Sequence, residues 1–269
     1  MTIRITVNER RAEVAAGSTL DEVRDAFKPD ADLLVLNGHV GGGDESIAEG
    51  DEIALIRRGE IPDADELEKL LVARHTPGVH DRIKTSRVGV AGLGGLGSQV
   101  AVSMARMGVG RLVLADFDVV VPSNLNRQQY FVDQIGMRKV EALAATLDRV
   151  NPYVRIETHD VELTAQNIPE IFGCCDVLVE AFDRAGEKEM LVNTALDRLP
   201  DTRVIAASGL AGHGPSENIG VHRVSPRLFV VGDLQTEAQP GVGLMAPRVG
   251  VAAHVQANLV LRLLLGEEE

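Results

Sequence analysis

Residues 87–139 read RVGVAGLGGLGSQVAVSMARMGVGRLVLADFDVVVPSNLNRQQYFVDQIGMRK, and this stretch decides the fold. An apolar run, Val88 to Ala91, ends in Gly92, Gly94, Gly95 and Gly97. An amphipathic helix is expected from Ser98 to about Met107, stopped by Gly108 and Gly110. A second apolar run, Leu112 to Ala115, ends in Asp116. Strand, glycine turn, helix, strand and acid in that order form the dinucleotide-binding fingerprint. The glycines allow a tight turn and let a phosphate approach backbone N–H groups at a helix N-terminus, where the dipole favours anions. Asp116, at the C-terminal end of its strand, is placed to accept from ribose hydroxyls.

The residues that follow narrow the choice of nucleotide. A dinucleotide brings about two negative charges, which backbone N–H groups largely hold. ATP brings about four, and chemistry on a triphosphate needs added cations. The chain supplies Arg127 in the loop after the second strand and Lys139 at the start of the next helix. The alternative for each is an ordinary surface charge.

GLGGLGS (92–98), DFDVVVPSNLNRQQ (116–129), GMRK (136–139) and DVLVEAFD (176–183) together resemble the ThiF/MoeB/HesA family, bacterial relatives of ubiquitin-activating enzymes. The resemblance spans residues 74 to 266 and is nearest to the short ThiF branch linked to thiamine biosynthesis. It implies an α/β fold with a Rossmann-like doubly wound sheet. It also implies an ATP- and Mg-dependent adenylyltransferase acting on the C-terminal glycine carboxylate of a ThiS-like sulfur carrier protein. Carried onto this sequence, Gly92, Gly94, Gly95 and Gly97 hold phosphate and Asp116 holds ribose. Asn124, Arg127, Gln128 and Lys139 meet the nucleotide, and Asp183 holds Mg. One carboxylate suffices for an ion that keeps several waters. Asp183 also reads as an N-cap for a helix over 184–198. Glu180 stands where many relatives have Asp. The resemblance further implies a homodimer in which Arg74, or failing that Arg82, reaches the neighbouring subunit's ATP site.

The 269 residues suffice for one large or two modest domains. Hydrophobic content of 45% with 25% charged residues is that of a globular chain, and 3% aromatics with no Trp make the core aliphatic. A net charge of −13 argues against nonspecific nucleic-acid binding, which needs cationic patches. No membrane span or signal peptide is expected. The two cysteines, Cys174 and Cys175, are adjacent, which rules out a disulfide framework and suits the cytoplasm.

Residues 1–58 read as a separate unit. IRITVN and RAEVAA are strands, a helix opens at Ser18-Thr19 and reaches about Phe27, and LLVLNG and DEIALIRR are further strands. This order suggests a small β-grasp domain and resembles a ThiS-like ubiquitin fold. A carrier must end in a flexible Gly-Gly, whereas here Gly59 is followed by Glu60 and the chain continues. An accessory or docking role is therefore expected. Residues 59–86 read as a linker and helical lead-in, with Asp63 or Asp65 as a cap, and 87–266 as the ATP-binding domain.

Beyond Lys139 the pattern gives a helix to Val150, a strand over 153–158, a helix over 166–172 and a buried strand ending near Asp183. A strand over 203–207 follows, then a hairpin over 218–231 and a closing helix over 248–265. Many relatives carry two CxxC pairs that bind zinc. This sequence has none, so no zinc is expected. Longer ThiF proteins also carry a sulfur-handling cysteine near 233–247, absent here. Sulfur transfer is thus left to a separate donor protein, and Cys174 and Cys175 read as structural. Three rivals remain: a tRNA threonylcarbamoyladenosine dehydratase-like enzyme, a non-catalytic ATP-binding scaffold and an NAD dehydrogenase.

Overall fold

The structure is a computed structural model describing residues 1–267, and it divides the chain into two compact units, one over 1–75 and one from Thr76 onward. In the first unit, β1 (Thr2–Val7) and β2 (Arg10–Ala15) form an antiparallel hairpin. β3 (Leu33–Leu36), the short β4 (His39–Val40) and β5 (Glu52–Ile56) complete a sheet of order β2-β1-β5-β3-β4, with β1 and β5 parallel at its centre. Between β2 and β3 runs α1 (Leu20–Phe27), set by a capping box in which Thr19 and Glu22 exchange side-chain and backbone bonds. Its Leu20 and Val23 pack on Ile5, Val7, Leu34, Leu36, Ile53 and Leu55. That is the β-grasp expected from the strand and helix order. The unit ends with α2 (Ala64–Arg74), where Asp63 supplies the cap by accepting from the Glu66 N–H at 2.8 Å.

In the second unit, α3 (Val79–Ile83) leads into β6 (Arg87–Ala91), α4 (Gly97–Met107) and β7 (Arg111–Ala115). After β7 come α5 (Lys139–Val150), β8 (Arg155–His159), α6 (Ile168–Phe172), β9 (Val177–Glu180), α7 (Ala185–Arg198) and β10 (Arg203–Ala207). The hairpin β11 (Gly220–Ser225) and β12 (Leu228–Gly232) and the closing α8 (Ala246–Leu265) finish the unit. The seven-stranded sheet has the order β11-β12-β10-β9-β6-β7-β8 and is parallel except at β11.

Both faces of this sheet are covered, which is why its strands read as unbroken apolar runs. Val88, Val90, Leu112, Leu114, Val177 and Val179 face the side packed by α4, α5 and α8. Val113, Ala115 and Leu178 face the side packed by α6 and α7. Gly89 is a packing requirement: a Cβ there would lie 2.6 Å from the buried Phe172 ring. By length and composition α8 is apolar enough to cross a membrane, but here it is a core helix with Val249, Ala252, Ala253, Ala257, Val260 and Leu263 buried against the sheet.

The chain leaves β6 for β7 and β8 on one side, then returns to place β9 and β10 on the other. The strand order therefore reverses beside β6, and α/β sheets bind ligands at the C-terminal ends of such a reversal. Register keeps these ends level. Ala91 pairs with Ala115 and Glu180, and the Gly92 N–H donates to the Ala115 carbonyl at 2.9 Å.

Candidate nucleotide site at the strand tips

A cavity of about 500 Å³ opens at the tips of β6, β7, β9 and β10. Gly92, Gly94 and Gly95 form one wall, and Asp116, Arg127, Gln128, Lys139 and Asp183 also line it. Apart from Asn124, Gly97, Arg74 and Arg82, the sequence-predicted residues thus converge on one cavity. Asn124 does not line it, because its Oδ1 accepts from the Val121 N–H at 3.0 Å and closes the one-turn 3-10 helix over Pro122–Asn126. Gly97 acts behind it, by packing. Arg74 belongs to the first unit, where its guanidinium pairs with Glu9.

The glycines divide the work. Gly92 has φ +88°, a left-handed conformation that side chains rarely adopt, and a Cβ there would meet the Ala181 carbonyl oxygen at 2.9 Å. Gly97 starts α4, where a Cβ would lie 1.9 Å from the Gly92 carbonyl oxygen. Gly94 is different. Its φ is not left-handed, and a Cβ would meet nothing nearer than the Gln128 side chain at 3.8 Å. No contact within the chain demands a glycine at that cavity-lining position.

The loop is clamped from several directions. Asp116, buried at the tip of β7, accepts from the Leu93 N–H at 2.6 Å and from the Asp118 N–H at 2.8 Å. The buried Tyr130 hydroxyl donates to the Leu93 carbonyl at 2.8 Å, so both polar groups of that residue are held. Burial, with Asp116 and Asp118 nearby, pushes the Tyr130 phenol far up and keeps it a donor. Ser98 Oγ donates to the Gly94 carbonyl at 2.6 Å, and Gln99 Nε2 bonds the carbonyls of Gly95 and Arg127 at 3.0 and 3.3 Å. Asp116 is thus also a brace for the glycine loop, beyond the ribose role read from sequence. Its carboxyl is raised by burial, against the pull of Lys139 and the two N–H donors.

The cations sit on the β7 side. Lys139 is buried, with its ammonium 2.6 Å from Asp118 Oδ2 and 3.8 Å from Asp116 Oδ2. Arg127 bonds Asn126 Oδ1 at 2.7 Å through Nη1, while its Nε and the Oε1 of Gln128 are buried without a partner. Unpartnered buried polar atoms on two adjacent cavity-lining residues are costly unless a ligand satisfies them.

Across the cavity, Asp183 is exposed, and its carboxylate makes no hydrogen bond or ion pair among the described residues. It is not the α7 cap: that position is Arg184, without a side-chain cap bond. Glu180, by contrast, is fully buried and committed. It accepts from Lys188 Nζ at 2.9 and 3.0 Å, from the Phe182 N–H at 2.7 Å and from the Ala207 N–H at 3.3 Å. Asp183, unlike Glu180, is thus a cavity-lining carboxylate left uncommitted among the described residues. Cys174 and Cys175 lie just before β9, at the strand end away from the cavity, and burial pushes the Cys175 thiol up, out of its reactive form.

Lys188, Asp118 and Tyr130 were not singled out in the sequence. Asp118 follows Asp116 by two in DFD and was within reach of reading; Lys188 on α7 becomes visible only when β9 and β10 lie side by side.

The comparisons with known proteins bear on the family and the fold. The ThiF family profile matches residues 68–269, and a ThiS-like ubiquitin profile matches 3–59. Molybdopterin-synthase adenylyltransferase of Haemophilus influenzae is 30% identical over 196 residues, which is 70% of this chain and 79% of that protein. Ubiquitin-like modifier-activating enzyme 5 of Drosophila virilis is 41% identical over 107 residues; the match covers 39% of this chain and only 27% of the enzyme's length. Among solved structures, the ATP complex of Escherichia coli tRNA N6-threonylcarbamoyladenosine dehydratase superposes with a TM-score of 0.67 at 20% identity, covering 73% of this chain and 93% of that one, a likeness of fold. With the glycine loop, the cation-bearing crossover and most of its length inside the matched region, the chain belongs to the ThiF family and carries a ThiS-like ubiquitin unit ahead of the nucleotide-binding unit.

Proposed function

We propose that the chain is an ATP-dependent adenylyltransferase that activates the C-terminal glycine carboxylate of a ThiS-like sulfur carrier protein, in thiamine biosynthesis. The observation that carries this reading is the gathering of Gly94, Arg127 and Lys139 opposite an uncommitted Asp183 around one cavity. The carrier carboxylate attacks the α-phosphorus of ATP, the bond to the β-phosphate oxygen breaks, and pyrophosphate leaves. A carboxylate is ionised at neutral pH, so the step needs no general base. The work is positioning two anions and offsetting phosphate charge. Backbone N–H groups at Gly94 and Gly95 and the side chains of Arg127 and Lys139 bind the phosphates, and Asp116 holds both the glycine loop and the ribose. Asp183 would hold Mg, which would supply charge neutralisation at the phosphates. We further place the protein in the cytoplasm as a homodimer, receiving sulfur from a separate donor protein.

The test is ATP–pyrophosphate exchange with and without a carrier ending in Gly-Gly. Carrier-dependent exchange that is lost in Arg127→Ala and in Asp183→Asn, with both variants folded, is expected. Exchange at the wild-type rate in either variant would remove that residue from the site. The second reading, a tRNA threonylcarbamoyladenosine dehydratase-like activity, is favoured by the fold likeness at a TM-score of 0.67 and opposed by the net charge of −13. Tight tRNA binding at physiological salt with no carrier-dependent exchange would select it.

A further inference from the structure

Glu180, fully buried at the end of β9, stands behind the nucleotide cavity and does not line it. One of its carboxylate oxygens accepts at 2.7 Å from the N–H of Phe182, the residue just before Asp183. The other accepts at 3.3 Å from the N–H of Ala207, the last residue of β10. Lys188, one turn into α7, closes the arrangement. Its ammonium donates to both Glu180 oxygens at 2.9 and 3.0 Å and to the Ala207 carbonyl at 3.2 Å. The tips of β9 and β10 and the start of α7 therefore meet at one buried ion pair, and Ala207 and Lys188 themselves line the cavity.

The turn from β9 into α7, residues 181–184, lies against the glycine loop. The Ala181 N–H donates to the Ala91 carbonyl at 2.8 Å, and the Phe182 ring would lie 3.0 Å from a Cβ at Gly92. Asp183 makes no bond among the described residues, so no contact of its own side chain fixes where its carboxylate lies. Its place is inherited from the backbone on either side, from the Phe182 N–H held by Glu180 and from the first turn of α7 held through Lys188. Packing alone does not call for ions here, since apolar side chains of similar volume commonly replace a buried ion pair without loss of stability. What the ion pair adds is direction, because its hydrogen bonds fix orientation in a way that apolar contact does not.

We propose that Glu180 and Lys188 are positioning residues for the nucleotide site, fixing the 181–184 turn so that the Asp183 carboxylate is held at the cavity wall, and that they act on ATP binding only through Asp183. This rests on the reading of the cavity as an ATP site.

The experiment is a double-mutant cycle on the full chain, read by calorimetric titration with ATP in excess magnesium chloride. The double variant Glu180→Leu/Lys188→Met removes both charges at similar volume and is expected to stay folded, where Lys188→Met alone strands a carboxylate. Glu180→Gln keeps one acceptor. The double variant should weaken Kd for ATP about tenfold, and Glu180→Gln should weaken it less. Introduced together with Asp183→Asn, the double variant should weaken Kd no further than Asp183→Asn does alone. Hydrogen exchange by mass spectrometry should quicken at least about fivefold over residues 181–187 in the double variant, with the rest of α7 unchanged. An equal loss of affinity with and without Asp183→Asn would overturn the proposal, because Lys188 would then meet the nucleotide directly. Undiminished affinity in the double variant would also overturn it, as would unaltered exchange over 181–187 or protection lost equally along α7. Absence of pyrophosphate exchange in a wild type that binds ATP would sink the adenylyltransferase reading and leave this one standing. A wild type that binds no ATP would sink both.

Discussion

Gly94→Ala is the substitution that best separates a binding role from a folding role. The added methyl would have 3.8 Å to its nearest neighbour, and the backbone at Gly94 is not left-handed. Where the native conformation tolerates it, Gly→Ala stabilises by about 0.4–1 kcal/mol, because the unfolded chain has fewer states to lose. The apparent Tm should therefore hold or rise by a few degrees. ATP binding should behave otherwise. A methyl facing the cavity blocks the close approach of phosphate to the loop's backbone, and a hydrogen bond to a charged group contributes about 1.5–3 kcal/mol. Loss of one such bond weakens Kd by about 10- to 100-fold. Gly97→Ala is the control. Its Cβ would lie 1.9 Å from the Gly92 carbonyl oxygen, a clash between backbone segments that cannot be relieved by turning a side chain. That variant should be destabilised by about 1–3 kcal/mol or more. Calorimetric titration with ATP and thermal denaturation read both quantities. Wild-type affinity in Gly94→Ala would refute the idea that phosphate lies against this loop.

Lys188→Met should cost about 3 kcal/mol, because it strands the fully buried Glu180 carboxylate. The Glu180 carboxyl is already raised by burial, and without Lys188 it rises further. A folded-state value above the unfolded one makes its contribution present at low pH and lost as pH rises, so the loss should be larger at pH 8 than at pH 5 in urea denaturation. A deficit equal at the two pH values would contradict this account. His159 is lowered by burial and by the neighbouring Arg111, so the unfolded chain takes up its proton first. Stability should fall as pH drops below about 6.5, and His159→Gln should flatten that part of the Tm profile relative to wild type. Parallel profiles in the two proteins would dismiss the assignment.

Much of this architecture is written locally. The runs at Val88–Ala91, Leu112–Ala115 and Arg203–Ala207 sit in strands because both faces of the sheet are covered, which erases polar alternation and leaves a signal that is easy to read. The end of α4 at Gly108, in the left-handed conformation with φ 74°, is equally local, since few other residues adopt it cheaply. Boundaries shifted where tertiary pairing set them: β8 starts at Arg155, opposite Arg111, two residues later than the apolar pattern suggests.

The candidate site was legible where a residue's type and its place at a strand tip implied one task, as with Gly92, Arg127, Lys139 and Asp183. Two kinds of information were not. Asn124 has the right chemistry and lies in the right motif, yet its oxygen is taken by a backbone N–H three residues away, a competition decided only when the turn closes. Lys188 and Glu180, or Arg248 and Asp233, are unremarkable charges along the chain, 8 and 15 residues apart. They become committed pairs only when helix and strand ends converge, because charges removed from water must find partners in whatever the packing places beside them. The sequence by itself determined the βαβ nucleotide unit, the β-grasp unit and the identity of most groups around the cavity. Which of those groups stay available for a ligand, and which are consumed in holding the site together, was decided by tertiary structure alone.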